Sequence, residues 1–125
     1  MARAVAHSLR AAPLPQWVPP QLTQLVDAAP EGDGWLHEIK FDGYRMHARL
    51  DRGDARLMTR TGLDWTHKYP PIATAVSALG VRRAYLDGEL CGMFPDGITS
   101  FSMIQAASDA GNATGWFTSS STFCI

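Results

Sequence analysis

From Ala84 to Ile125 the chain has no lysine or arginine, and its 125 residues include only two cysteines, Cys91 and Cys124. Those cysteines have neither metal-ligand spacing nor the density of a disulfide scaffold, so a reducing, cytoplasmic compartment is the economical reading. No run approaches the roughly 20 apolar residues that cross a bilayer, which excludes a membrane-spanning helix. Met1 to Arg10 carries basic residues without a continuous apolar stretch, which argues against a secretory signal and leaves a short leader or linker remnant. A formal net charge of -1 supplies no global attraction to nucleic acid.

What is present is enough for one modest domain: 46% of the residues are apolar, as expected of a globular chain with its own core. The charge is unevenly placed. Nine of the eleven basic residues lie between Lys40 and Arg83, where they could form a local electropositive face or simply a solvated strand surface.

Prolines at 13, 15, 19 and 20 predict an extended segment, pinned by Trp17 and Val18. Gln21 to Ala28 predicts a short helix burying Leu22, Leu25 and Val26, ended by Pro30 and the turn from Glu31 to Gly34. Trp35 to Lys40 reads as a strand. So does Tyr44 to Leu50, where Tyr44, Met46, Ala48 and Leu50 alternate with Arg45, His47 and Arg49. Asp51-Arg-Gly-Asp54 supplies a hairpin turn, and Ala55 to Arg60 returns with Leu57 opposite in face to Arg56 and Met58. A helix follows from Tyr69 or Pro71 to Leu79, with Ile72, Val76 and Leu79 on one stripe and Gly80 as its stop. Arg83 to Cys91 is a further strand, Pro95-Asp-Gly97 a turn, and Phe101 to Ala107 a helix with Phe101, Ile104 and Met103 inward. The fold class is therefore α+β, an antiparallel sheet with flanking helices, whose basic side chains share one face.

Glu38-Ile-Lys-Phe-Asp-Gly43 is the segment that suggests chemistry. Period-two alternation places Glu38, Lys40 and Asp42 on one side, and Gly43 lets the chain turn close to a ligand. A lysine amine, with an ordinary pKa of about 10.4, becomes a nucleophile only where something offsets the carboxylates that favour its ammonium form. A divalent metal on a triphosphate does so. From spacing alone, a surface lysine in an ordinary ion pair is the simpler reading, and the same holds for Asp87 and Glu89. His37 and His47 are read as ordinary strand residues. Trp35, Trp65 and Tyr69 are read as core or rim packing rather than base-stacking platforms.

Three ordered stretches shift that balance: Trp35 to Arg49, containing Glu-Ile-Lys-Phe-Asp-Gly-Tyr-Arg45; Leu57-Met-Thr-Arg-Thr-Gly-Leu-Asp-Trp-Thr66; and Tyr85-Leu-Asp-Gly-Glu-Leu-Cys-Gly92. Together they resemble the covalent nucleotidyltransferases, and most closely the ligase domain of bacterial ATP-dependent DNA ligases used in non-homologous end joining. The resemblance implies an ATP-grasp-like adenylation domain acting on nicked double-stranded DNA with ATP and magnesium or manganese, alongside end-joining repair proteins. It implies that Lys40 attacks the α-phosphate, that Asp42 orients it, and that Glu38 and Ile39 line the adenine side. Arg45 would contact nucleotide sugar or phosphate, Glu89 the ribose and metal, and Arg60 the DNA 5′ phosphate, with Asp87 supporting its turn. The alternatives are a non-catalytic fragment that binds DNA or a repair partner, and an RNA-capping-type guanylyltransferase.

The resemblance runs from about residue 17 to 115, with 1–16 a flexible leader and 116–125 outside the family pattern. The adenine sandwich, distal phosphate lysines and oligonucleotide-binding domain of such ligases have no counterpart here, so the domain is expected to be incomplete, weakly self-adenylating at most, and a monomer or aggregation-prone. One permissible reverse translation of Gly115 to Ile125, read two bases later, gives Leu-Val-His-Phe-Leu-Phe-Asp-Leu-Leu-His, similar to the strand expected next. A frameshift near Thr114 is the corresponding expectation. Sequencing the locus and finding no displaced downstream ligase frame would rule it out.

Overall fold

The computed structural model describes residues 12–109 and the backbone of 121–124. The leader up to residue 11 and most of the tail discussed above lie outside the described residues. Strand β1 (Tyr44–Asp51) and strand β2 (Asp54–Thr59) form the hairpin expected from alternation. Its turn holds Arg52 at φ 54° and Gly53 at φ 90°. Two successive residues in the left-handed region suit the right-handed twist of the strands they join.

A single 3-10 turn (Thr66–Lys68) leads into helix α1 (Pro70–Ser77), whose two opening prolines sit where backbone N–H groups have no helical partner. Strand β3 (Arg83–Met93) follows, then strand β4 (Thr99–Ser100), helix α2 (Phe101–Asp109) and strand β5 (Ser121–Cys124). The five strands make one antiparallel sheet in the order β2-β1-β3-β4, with β5 also on β3. Gly92 pairs with both Ser100 and Ser121, so β4 and β5 take opposite edges of β3. Glu89 and Leu90 pair with both β1 and β5, which puts β4 on the β1 side, just ahead of where β1 begins.

One sheet face and the two helices enclose the core. Met46, Ala48, Leu50, Ala55, Leu57 and Leu90 pack with Tyr69, Ile72, Val76 and Ile104. Leu50, Leu57 and Leu90 are all but fully buried, each stabilising the fold by roughly 1.5–3 kcal/mol. The Tyr69 and Ser108 hydroxyls hydrogen-bond inside this layer, tying α2 to the entry of α1. Tyr69 is thus core, as its sequence context implied.

Four expectations fail for physical reasons. Gln21 to Ala28 is not helical, and Leu22, Leu25 and Val26 are exposed; so short a helix is marginal without a surface to pack on. Trp35 to Lys40 is not a strand either. Both edges of β1 are taken by β2 and β3, and the segment joins no ladder, leaving Trp35, Leu36 and Ile39 exposed. Leu79 lies beyond the end of α1 and is exposed rather than on its buried stripe. The basic face of β1 is also not open: His47 and Arg49 are buried, covered by the extended segment around Pro15 to Gln21.

Candidate active-site cleft

The β1–β3 register sets the site. Arg45 lies directly opposite Glu89, His47 opposite Asp87, and Arg49 opposite Tyr85. Directly opposed residues in an antiparallel pair share a face, so all six side chains stand on the sheet surface away from the helical core. The loop carrying Lys40 runs toward this face before entering β1. A cleft of about 560 Å³ is lined by Glu38, Ile39, Lys40, Phe41, Arg45, Asp87, Gly88 and Glu89. Residues from two distant parts of the sequence therefore meet around the lysine.

Glu89 is held by the loop. The Gly43 N–H donates to its Oε1 at 3.1 Å. Burial pushes its carboxyl above the ordinary range, against the opposing pull of that hydrogen bond and of Lys40 and Arg45, while Asp42 adds to the rise. The Asp42 N–H donates to Thr99 Oγ1 at 3.2 Å, fixing the loop against β4. Asp42 is absent from the cleft lining itself.

Gly43 does something other than turn the chain near a ligand. A Cβ there would lie 2.1 Å from the Leu90 carbonyl oxygen and 2.8 Å from its carbon, so the loop presses directly on the β3 backbone. The glycine is required by the close approach of two segments of the backbone.

Arg45 is committed to Asp87. Its Nε donates to Asp87 Oδ1 at 3.1 Å and its Nη2 to Oδ2 at 2.6 Å, while Nη1 donates to the Gln21 carbonyl at 2.8 Å. The pair holds Asp87 below the usual carboxylate range, chiefly through these hydrogen bonds. Asp87 is therefore the partner of Arg45, as the ion-pair reading expected, while the Gly88 N–H also bonds its carboxylate, and both of its oxygens are engaged by the guanidinium.

Arg60 sits across the sheet from the lysine loop. It lines a second cleft, of about 460 Å³, with Tyr44, Thr59, Thr61, Leu63, Trp65 and Phe101, and this cleft shares Arg45 and Glu89 with the first. Tyr44 meets Trp65 and Phe101 edge-on at ring separations of 5.5 and 5.1 Å, and Lys68 Nζ lies 4.1 Å over Trp65. Trp65 is engaged in packing as expected, while also forming a wall of this cleft.

No group of three or more acidic, histidine or cysteine side chains with metal-site geometry occurs among the described residues. A phosphate-bound magnesium ion needs only one or two protein carboxylates, and Glu89, with one oxygen outside the Gly43 hydrogen bond, fits that requirement.

Sequence reasoning missed Tyr85, His47 and Thr99 as site neighbours. Tyr85 and His47 lie inside the motif stretches, but the resemblance assigned them no role. Their two-residue spacing from Asp87 and Arg45 puts them on the same strand face as those residues.

The family model described as the ATP dependent DNA ligase domain matches residues 20–120. The chain belongs to the ATP-dependent DNA ligase domain family. It is 41% identical over 99 residues to the multifunctional non-homologous end joining protein LigD of Pseudomonas aeruginosa, covering 79% of this chain and 12% of that protein. A DNA ligase of Pyrobaculum calidifontis is 36% identical over 83 residues, covering 62% of this chain and 14% of its own length. The ligase domain of Mycobacterium tuberculosis LigD superposes with a TM-score of 0.51 at 36% identity, over 55% of this chain and 23% of that one. A mycobacterial DNA ligase D complexed with ATP and MES gives 0.54 at 30% identity, over 69% and 26%. The chain thus spans about an eighth of the length of the Pseudomonas relative it matches.

Proposed function

We propose that this chain provides the nucleotide-accepting lysine of an ATP-dependent DNA ligase and that Lys40 is the nucleophile. The observation that carries the reading is the cleft in which Glu38, Ile39 and Lys40 face Arg45 and Glu89 from the neighbouring strands. The Lys40 amine loses a proton and attacks the α-phosphorus of ATP. A P–N bond forms, the bond to the bridging oxygen breaks, and pyrophosphate leaves. The adenylate then passes to the 5′ phosphate at a DNA nick, and the 3′ hydroxyl displaces AMP to close the backbone. Each step exchanges one activated phosphoryl linkage for another, so placement and charge stabilisation matter most.

Glu38 and Ile39 flank the base, partly through backbone groups, and Asp42 orients the lysine from its loop. Arg45, braced by Asp87, and Glu89 receive the ribose and phosphates. Glu89 would hold magnesium or manganese, which when bound would supply neutralising charge to the triphosphate and its leaving group. Arg60, across the shared wall of the second cleft, takes the DNA 5′ phosphate. The partners are nicked duplex DNA and end-joining repair proteins, and the place of action is the bacterial cytoplasm, at the nucleoid. Among the described residues no helix is long and apolar enough to cross a membrane.

The test is incubation with α-labelled ATP and magnesium, followed by denaturing electrophoresis. Covalent label on the 125-residue chain, lost in Lys40→Ala and competed by ATP above GTP, is the expected result. Label that persists in Lys40→Ala would remove the lysine from its role, and a preference for GTP would point to capping chemistry.

A further inference from the structure

Residues 12–21 cross the sheet face that carries the cleft, and four of their backbone groups bond to side chains of β1 and β3. Arg83 Nη1 donates to the Ala12 carbonyl at 3.4 Å, and Arg49 Nε donates to that of Pro15 at 2.9 Å. The Val18 N–H donates to the Tyr85 hydroxyl at 2.9 Å, and Arg45 Nη1 donates to the Gln21 carbonyl at 2.8 Å. Pro13, Pro15, Pro19 and Pro20 keep the segment extended at little further entropic cost. Trp17 lies on the turn beside Arg60, since a Cβ on Gly62 would be 3.4 Å from its ring. The segment is a strap that touches the walls of both clefts.

The proton positions beneath it follow from donor and acceptor counting. Tyr85 Oη accepts from Val18, so its own proton is free for His47 Nδ1, 2.9 Å away. An accepting Nδ1 puts the imidazole proton on Nε2, which faces Asp87 Oδ1 at 3.6 Å. His47 is 2% exposed, and burial lowers its pKa and favours this neutral form. Val18, Tyr85 and His47 form one hydrogen-bonded chain under the strap and Gln21, Arg45 and Asp87 a second; between them His47 Nε2, buried without a hydrogen-bond partner, stands 3.6 Å from Asp87 Oδ1.

We propose that Tyr85 is a positioning residue: its hydroxyl latches the strap, and the latched strap holds the Arg45 guanidinium, through Gln21, in the orientation it presents to the lysine cleft. Asp87 occupies two guanidinium nitrogens and the Gln21 carbonyl the third, so release of the strap removes one of the three contacts that fix the plane. The consequence for nucleotide handling rests on the function proposed above. The mechanical coupling does not.

Two variants test the latch from opposite ends. Tyr85→Phe removes the hydroxyl. Val18→Pro removes the donor while leaving the Tyr85–His47 contact in place. Amide hydrogen exchange at Val18 should quicken about fivefold or more in Tyr85→Phe, the population change one lost hydrogen bond produces, and exchange of the Arg49 Nε–H, which donates to the Pro15 carbonyl, should quicken in both variants, with β1 and β3 amides unchanged. Nuclear magnetic resonance of the Arg45 Nε–H should show faster solvent exchange in both variants, although neither substitution touches Arg45. Strap release with an unaltered Arg45 signal overturns the coupling, and an unreleased strap in both overturns the latch. In the labelling reaction, the variants should need several times more ATP for half-maximal label at an unchanged maximal rate. A shifted Arg45 signal with no label on the unsubstituted chain would overturn nucleotide acceptance by this chain and leave the latch standing.

Discussion

Glu89 faces opposing demands. Its carboxylate stands in the lysine cleft, where an anion near the nucleotide's ribose and metal is wanted, yet burial raises its pKa from the ordinary 4.5. Between the unfolded and folded values the folded chain holds a proton that the unfolded chain releases. Stability from this group is therefore complete below the unfolded value and is lost as pH rises through the folded one. Glu89→Gln keeps an acceptor for the Gly43 N–H and removes the charge. It should melt at a higher temperature than the parent at about pH 7, with the difference closing as pH falls below the ordinary value of 4.5, while labelling at Lys40 drops sharply. Thermal melts across pH would decide it, and a variant less stable at neutral pH would contradict the burial account.

The loop from Trp35 to Gly43 is tied to the sheet at its end, and Gly43 makes that possible. Gly43→Ala places a methyl group into the Leu90 backbone, which cannot swing aside as a side chain can. Overpacking of this kind destabilises by about 1–3 kcal/mol or more, a fall of at least roughly 4 °C in Tm for a domain of this size. Calorimetry of Gly43→Ala beside the parent measures it, and an unchanged Tm would mean that the loop does not rest on β3. The sequence made β1, β2, α1 and β3 legible because alternation, the Arg52-Gly53 turn and the paired prolines are local signals. It misjudged Trp35 to Lys40 because period two shows what a segment can be, not whether a sheet edge awaits it. For the candidate site, the motif residues Lys40, Arg45 and Glu89 line one cleft. The Arg45–Asp87 pair and the strap above it depend on β1–β3 register, which no local pattern in either strand reveals.

Across the whole molecule, burial is lopsided. Leu22, Leu25, Val26, Leu36 and Ile39 are exposed while the β-sheet core beneath the helices is tightly closed. Exposed apolar side chains clustered in one stretch of chain promote association. Leu25→Lys and Leu36→Lys, at positions 102% and 92% exposed, should reduce light scattering at high protein concentration and leave Tm within the change of about 0.5 kcal/mol typical of surface substitutions. A marked fall in Tm would show that these leucines support the fold.

The tight turn between β1 and β2 has a temporal consequence. Those strands can zip within microseconds of meeting, but β3 must return across everything from Ala55 to Arg82 before Arg45 finds Asp87 and Glu89. Such long loops close late and against entropy. The lysine cleft is thus younger than the β1–β2 hairpin on the way to the native state, and a nascent chain leaving the ribosome would display a finished hairpin well before it owned a site.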